Sequence, residues 1–337
     1  MNGFDRVHAA MNGRWPDTVP VMLHNFMPAA REAGYSQREF CNDPRKAADS
    51  FIRMTEKYDL DGVVMDFNTA TIAGALGVPV AFSENEPARC SKGVLKSLKE
   101  VDDLKDADIS RDRYIQIWLE TMRLLREHFG YEKYLRGNVD QAPFSIASMM
   151  RTQTEWLMDL TDKENHERAI RLLEYCTRAS CFFVQLMTDA GAHMVSSGDS
   201  PAGPDMISPA MYRKFALPFE DEVAAYAHEC GIPYLLHICG NTDAILGGFA
   251  DRPVDAVELD YKTDIRRIHD LVLSTDVTFW GNVDPSGIFA LGTPDEVRQE
   301  KQKLVKLFSD TPRFVLCSGC ALPSSTPEQN IRAFCEK

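Results

Sequence analysis

The sequence has no run approaching the roughly 18 unbroken apolar residues of a membrane-spanning helix, so a transmembrane role is not expected. Basic residues are also in short supply. Lys and Arg number 37 against 50 Asp and Glu, the formal net charge is -13, and no basic cluster masses on one stretch. A nucleic-acid partner is therefore not expected. Gly/Ser linkers, low-complexity tracts and internal repeats are lacking too, so nothing divides residues 1–337 into parts. The first twenty residues mix Asp5, Arg6, His8 and Arg14 with small residues and hold no continuous apolar segment, so they do not read as a secretion signal, and a cytoplasmic location is expected. Nine cysteines, an odd number, then read as reduced thiols, buried or metal-bound, and not as a disulfide framework.

What is present is an alternation. Eight short apolar runs, Val19 to His24, Gly62 to Phe67, Tyr134 to Val139, Ala192 to Ser196, Pro233 to Ile238, Ala256 to Leu259, Thr278 to Trp280 and Phe314 to Leu316, are separated by longer stretches with apolar residues recurring at three and four. Pro44 to Tyr58, Asp112 to Phe129 and Lys163 to Ala190 are such helical stretches. Asp43 before Pro44 and Ser208 before Pro209 each place a capping residue before a first-turn proline. Thr293-Pro294 with Glu296 adds the capping-box acid, and Thr326-Pro327-Glu328 nearly repeats the device. The pattern predicts one α/β domain, a (β/α)8 barrel with an N-terminal helical extension.

A barrel carries its chemistry on the C-terminal ends of its strands. Pro233-Tyr-Leu-Leu-His-Ile-Cys-Gly-Asn241 is the most informative segment, because side chains two apart on a strand share a face, so His237 and Cys239 would both project into the barrel mouth. A third sulfur comes 81 residues after Cys239, in Leu316-Cys-Ser-Gly-Cys320, where the last strand ends. One imidazole and two thiolates suit Zn2+, and three protein ligands leave a fourth position open for substrate. The competing reading of His-x-Cys on a buried strand is core packing. Cys317 competes with Cys320 as the distal ligand; Cys320 is preferred because it follows Gly319 in the loop, whereas Cys317 ends the apolar run. Cys41, Cys90, Cys176, Cys181, Cys230 and Cys335 sit in no ligand pattern and read as small buried hydrophobes or inert surface thiols.

At these residues the chain resembles the uroporphyrinogen decarboxylase superfamily, and within it the corrinoid-linked methyltransferases that act with coenzyme M or with methoxylated substrates. The resemblance rests on His237-Ile-Cys239-Gly-Asn-Thr, Trp280-Gly-Asn-Val-Asp-Pro285, Ser318-Gly-Cys-Ala-Leu-Pro-Ser-Ser-Thr-Pro-Glu-Gln-Asn330 and Ser208-Pro209 before a helix ending near Pro218. It implies zinc on His237, Cys239 and Cys320, and a corrinoid (cobalamin) carried by a separate partner protein that docks at the barrel mouth. The decarboxylases themselves carry an arginine-rich motif, R-Q-A-G-R, after the first strand; the corresponding stretch here is Met22-Leu-His-Asn-Phe-Met-Pro-Ala-Ala-Arg31. Asp66 still matches the aspartate that the family places after its second strand.

Two directions of methyl transfer follow. A methyl ether could place its oxygen on zinc while Co(I) takes the methyl group, or a thiol such as coenzyme M could take it from methylcobalamin. His24, Asn25 and Phe26, with Met27, offer an apolar pocket with polar handles and incline the reading to a methoxylated aromatic substrate. Arg136 or Lys262 could meet a sulfonate, which keeps the thiol direction open. Asp66, Glu258 and Asp260 are the candidate catalytic carboxylates, and Asp199 joins the substrate-binding set; for these, as for Asp140 and Asp284, the competing role is a helix cap or loop anchor. His193 inside an apolar run, and Tyr212, Phe215 and Phe219 at helical spacing, read as core. Decarboxylation and a non-catalytic binding barrel are the remaining alternatives.

Overall fold

The structure, a computed structural model, describes residues 1–106 and 108–336. Its strands in chain order are β1 (Gly62–Met65), the hairpin pair β2 (Val80–Ala81) and β3 (Arg89–Cys90), β4 (Tyr134–Gln141), β5 (Met194–Gly198), β6 (Tyr234–Ile238), β7 (Ala256–Leu259), β8 (Thr278–Val283) and β9 (Phe314–Ser318). Apart from the hairpin they form one parallel sheet in the order β1-β4-β5-β6-β7-β8-β9. Seven of the eight predicted runs are thus strands, shifted by up to three residues at their ends.

The run Val19 to His24 is the exception. It does not form an extended strand: only Val21 pairs, in an isolated parallel bridge with Leu316. Pro20 has no N–H for a ladder, and the Val21 N–H is taken by the Asp61 carboxylate at 2.8 Å. The segment still closes the barrel. On one side Leu316 N–H donates to the Pro20 carbonyl at 2.9 Å and Met22 N–H to the Leu316 carbonyl at 3.0 Å; on the other, Asp61 N–H donates to the Val21 carbonyl at 2.9 Å.

The helices form where the caps predict. Asp43 accepts from the Arg45 and Lys46 amides ahead of Pro44–Lys57, Ser208 caps Pro209–Phe215, and Thr293 with Glu296 forms a complete capping box on Pro294–Leu307. Thr326 departs from expectation: its hydroxyl donates to the Pro323 carbonyl, and Glu328–Cys335 starts at Pro327 without a side-chain cap. Helix Gly3–Met11 is the N-terminal extension. Its Val7 and Ala10 pack with Met22, Val64, Tyr134, Met194, Leu235, Ala256, Trp280 and Val315 into an apolar plug inside the barrel. A larger apolar layer lies between the strands and the outer helices. Among the described residues no helix is long and apolar enough to cross a membrane.

Candidate metal centre and its cavity

Two residues beyond most plug residues of the barrel wall, on the same face of the chain, the interior turns polar. Met22 is followed by His24, Val64 by Asp66, Tyr134 by Arg136, Leu235 by His237, Ala256 by Glu258 and Trp280 by Asn282, all of them buried. His237 sits near the end of β6, beside Gly198 on one neighbouring strand and Glu258 on the other. Cys239 follows β6 and Cys320 follows β9. The ligand atoms of His237, Cys239 and Cys320 lie within 4.8 Å of one another. His237 Nε2 is 3.0 Å from Cys239 Sγ, which is 3.7 Å from Cys320 Sγ. Among the described residues no other trio of His, Cys, Asp or Glu side chains converges in this way. These three could hold a metal ion.

The turn that presents Cys239 favours Gly240, whose φ of +83 would strain any other residue and where an added Cβ would stand 2.2 Å from the Asp205 carboxylate, forcing that side chain to move. Cys317, level with Asn282 in the sheet register, is fully buried and packs with the plug residues, where burial pushes its thiol up to about 12.

Glu258 connects the trio to a second histidine. Its Oε1 lies 3.1 Å from His237 Nδ1 and 3.5 Å from His24 Nδ1, and its Oε2 pairs with the Arg136 guanidinium. Arg136 also donates to Ser196 Oγ at 2.9 Å and stands over the Trp280 ring. His24 Nε2 is 2.7 Å from Asp66 Oδ2, and Asp66 Oδ1 accepts the Phe67 N–H. Burial works against charge on Glu258, but Arg136 and the two histidines hold its carboxyl well below the usual range. Burial likewise lowers His24 and His237, yet Asp66 and Glu258 leave the first above its ordinary value, and Cys239 and Glu258 leave the second well above it. Within the sulfur pair, the hydrogen bond from Cys320 pulls Cys239 down to about 3, while the same contact and burial push Cys320 up.

A cavity of about 580 Å³ opens over this layer, reached by His24, Asp66, Arg136, His237, Cys239 and Cys320 from below. Phe26, Met27 and Met149 supply apolar wall, and Pro87 to Lys92, around the β2–β3 hairpin, close one side. That hairpin carries no signal in the periodicity. It places Cys90, which sits in no ligand pattern, on the cavity wall with its Sγ 3.5 Å from Met149 Sδ.

Other sequence candidates stand elsewhere. Asn25 is buried at the start of helix Phe26–Ala33, its side chain makes no cap bond, and it is not on the cavity wall. Asp199 accepts from the Ser145 amide and hydroxyl at 2.9 and 2.6 Å, and Asp260 accepts from the Gly240 and Lys262 amides at 3.0 and 3.1 Å. Both anchor backbone instead of lining the cavity, because each strand-end loop leaves amides that need an acceptor. Asp284 caps Pro285–Ala290. Asp140 accepts the Ile72 amide, and burial pushes it up to about 8. Of the two candidate cations, Lys262 is off the wall and Arg136 is engaged by Glu258.

Methylcobamide:CoM methyltransferase MtbA of Methanosarcina acetivorans is 28% identical over 245 residues, 73% of this chain and 69% of that protein. Methylcobamide:CoM methyltransferase MtaA of Methanosarcina barkeri is 24% identical over 336 residues, 97% of this chain and 95% of that one. The solved structure of a methyltransferase from Methanosarcina mazei superposes with a TM-score of 0.89 at 22% identity, covering 99% of this chain and 97% of the other. That likeness shows the barrel fold. The profile of the Uroporphyrinogen decarboxylase (URO-D) family matches residues 2–337, and the chain therefore belongs to the uroporphyrinogen decarboxylase family.

Proposed function

We propose that the protein is a zinc-dependent methyltransferase that moves a methyl group between the cobalt of a corrinoid, carried by a partner protein, and a sulfur or oxygen atom of a small molecule bound in the cavity. The single observation that supports it most is the convergence of His237, Cys239 and Cys320 at the floor of that cavity. A nitrogen and two sulfurs fit Zn2+ and leave one tetrahedral position free. Zinc held there supplies Lewis acidity, stabilising negative charge on the substrate sulfur or oxygen.

The protein's own residues do the rest. The Glu258 carboxylate, 3.1 Å from His237 Nδ1, holds the ring by charge with Nε2 beside the Cys239 sulfur. Asp260 fixes the Cys239–Gly240 turn through the Gly240 amide. Phe26, Met27 and Met149 give the substrate an apolar wall to pack against. The nine cysteines are free thiols, which fits a reducing cytoplasm.

The direction of transfer has support on both sides. The relatives named as methylcobamide:CoM methyltransferases favour a thiol acceptor. The size of the cavity and its apolar wall favour a methoxylated aromatic donor, that is, O-demethylation. Porphyrinogen decarboxylation is supported least, since Arg136 is bound to Glu258 and Arg31 is turned to the Ser324 and Thr326 carbonyls.

The test is to incubate the zinc-loaded protein with Co(I) cobalamin and a panel of methoxylated aromatics, and separately with methylcobalamin and thiols including coenzyme M, following the corrinoid spectrum. One panel is expected to respond. Silence in both from protein with zinc bound would leave a non-catalytic barrel.

A further inference from the structure

Methyl transfer from an ether to a corrinoid has a proton to account for. The carbon–oxygen bond breaks and its electron pair stays on oxygen. The new carbon–cobalt bond takes both its electrons from Co(I), which becomes Co(III), so the oxygen must gain one proton to leave as an alcohol or phenol. Few groups on the cavity wall can supply it. Arg89 and Lys92 are exposed at the rim, Arg136 is bound to Glu258, and burial pushes the Cys90 thiol up to about 12. His237, Cys239 and Cys320 belong to the metal trio. The remaining couple is His24 with Asp66.

We propose that His24 and Asp66 form a proton relay that donates to the ether oxygen of a methoxylated substrate as its methyl group leaves. The inference rests on the methyltransferase reading and selects its demethylating direction. The His24 ring lies between two carboxylates: Nε2 is hydrogen-bonded to Asp66 Oδ2 at 2.7 Å, and Glu258 Oε1 stands 3.5 Å from Nδ1 outside hydrogen-bond geometry, so that two negative charges flank the ring and favour its protonated form. Glu258 is fixed by Arg136 and His237, and Asp66 by the Phe67 amide. The other titratable groups that sense Asp66 are Asp140 and Cys41, which burial pushes up to about 8 and about 12, so neither adds a full competing charge at neutral pH. The proton passes from His24 Nε2 across the hydrogen bond to Asp66 Oδ2, and Asp66, which reaches the cavity, delivers it to the oxygen; solvent recharges the pair through the mouth. Asp66 is the catalytic residue and His24 its positioning and charging partner. A thiol acceptor reverses the balance, because sulfur must lose a proton and a charged His24 cannot accept it.

The test uses zinc-loaded protein, guaiacol and Co(I) cobalamin in single-turnover transfer across the pH range around neutrality. The wild-type rate should fall as pH rises through the titration of His24. Asp66→Asn and His24→Gln should lower it by ~10²-fold or more and remove that pH dependence with zinc content unchanged, and added imidazole should restore His24→Gly. Variants that keep the wild-type rate, or lose rate while keeping the wild-type pH profile, would overturn the relay. Nitrogen NMR of labelled histidine in the zinc protein without corrinoid is the second readout: His24 should be an imidazolium at neutral pH. A neutral His24 there overturns the relay even if no substrate responds, whereas a wild type that handles neither methoxy compounds nor thiols overturns the methyltransferase reading instead.

Discussion

The floor and the mouth of the barrel are built by the same strands, two residues apart. At the floor, Val64, Tyr134, Leu235, Ala256 and Trp280 meet helix Gly3–Met11 in an apolar plug; one pleat higher, Asp66, Arg136, His237 and Glu258 form a polar layer connected through His24. Both layers are buried, so burial alone does not distinguish them. What differs is how each buried group is satisfied: the floor by packing, the mouth by ion pairs and hydrogen bonds that leave His237, Cys239 and Cys320 facing the cavity.

The sulfurs give the sharpest test of that division. Cys320 reaches the cavity, whereas Cys317 faces away from it and packs with the floor residues. Cys320→Ala should lose bound zinc and reduce methyl transfer to background, while Cys317→Ala should keep both, as measured by metal analysis and the corrinoid spectrum. The opposite result would place the ligand in the wrong layer.

Trp280→Ala probes the floor. This fully buried ring carries both plug packing and the Arg136 guanidinium, so its removal should cost about 3–5 kcal/mol in urea unfolding. A change well under that would mean that the plug relaxes around the cavity. Glu258→Gln probes the link between layers. It leaves Arg136 without its buried partner and weakens the hold on His237 Nδ1, so zinc affinity should fall by ~10–100-fold in a chelator competition.

The smallest expected effect is also the most discriminating, because two histidines at opposite ends of the barrel titrate in opposite senses. At the mouth, His24 is lowered by burial but raised further by Asp66 and Glu258, so its folded value lies above 6.5. The native state binds that proton more tightly than the unfolded chain, and the resulting stability is complete below 6.5 and lost as pH rises through the folded value. At the floor, burial and Arg126 lower His193 to about 4. Its contribution is complete above 6.5 and lost as pH falls toward about 4. Unfolding of His24→Gln and His193→Gln across pH should therefore differ from wild type with opposite slopes, and parallel slopes would remove the contrast.

His193 also shows how far local reading reaches. An apolar run around it predicts a core histidine; the structure satisfies it, with Nδ1 accepting the Leu135 amide, but leaves it half-buried and stacked on the exposed Tyr131. Tyr212, Phe215 and Phe219 are buried as their spacing predicts. Asn25, Asp199 and Asp260 stand off the cavity wall, and in sequence a polar residue at a strand end looks the same whether it faces a ligand or anchors a loop amide. The β2–β3 hairpin and Cys90 escape entirely, since two-residue strands leave no periodic trace.

The sequence by itself determined the strand–helix alternation, most of the caps and the pairing of His237 with Cys239, because each is written within one turn or one pleat of contiguous chain. Only the tertiary structure decided that Val19 to His24 closes the barrel through a single bridge, which carboxylates anchor loops, and that residues 24, 66, 136, 237 and 258 form one chain of contacts. Those residues are brought together by sheet register and barrel closure, which depend on every strand at once.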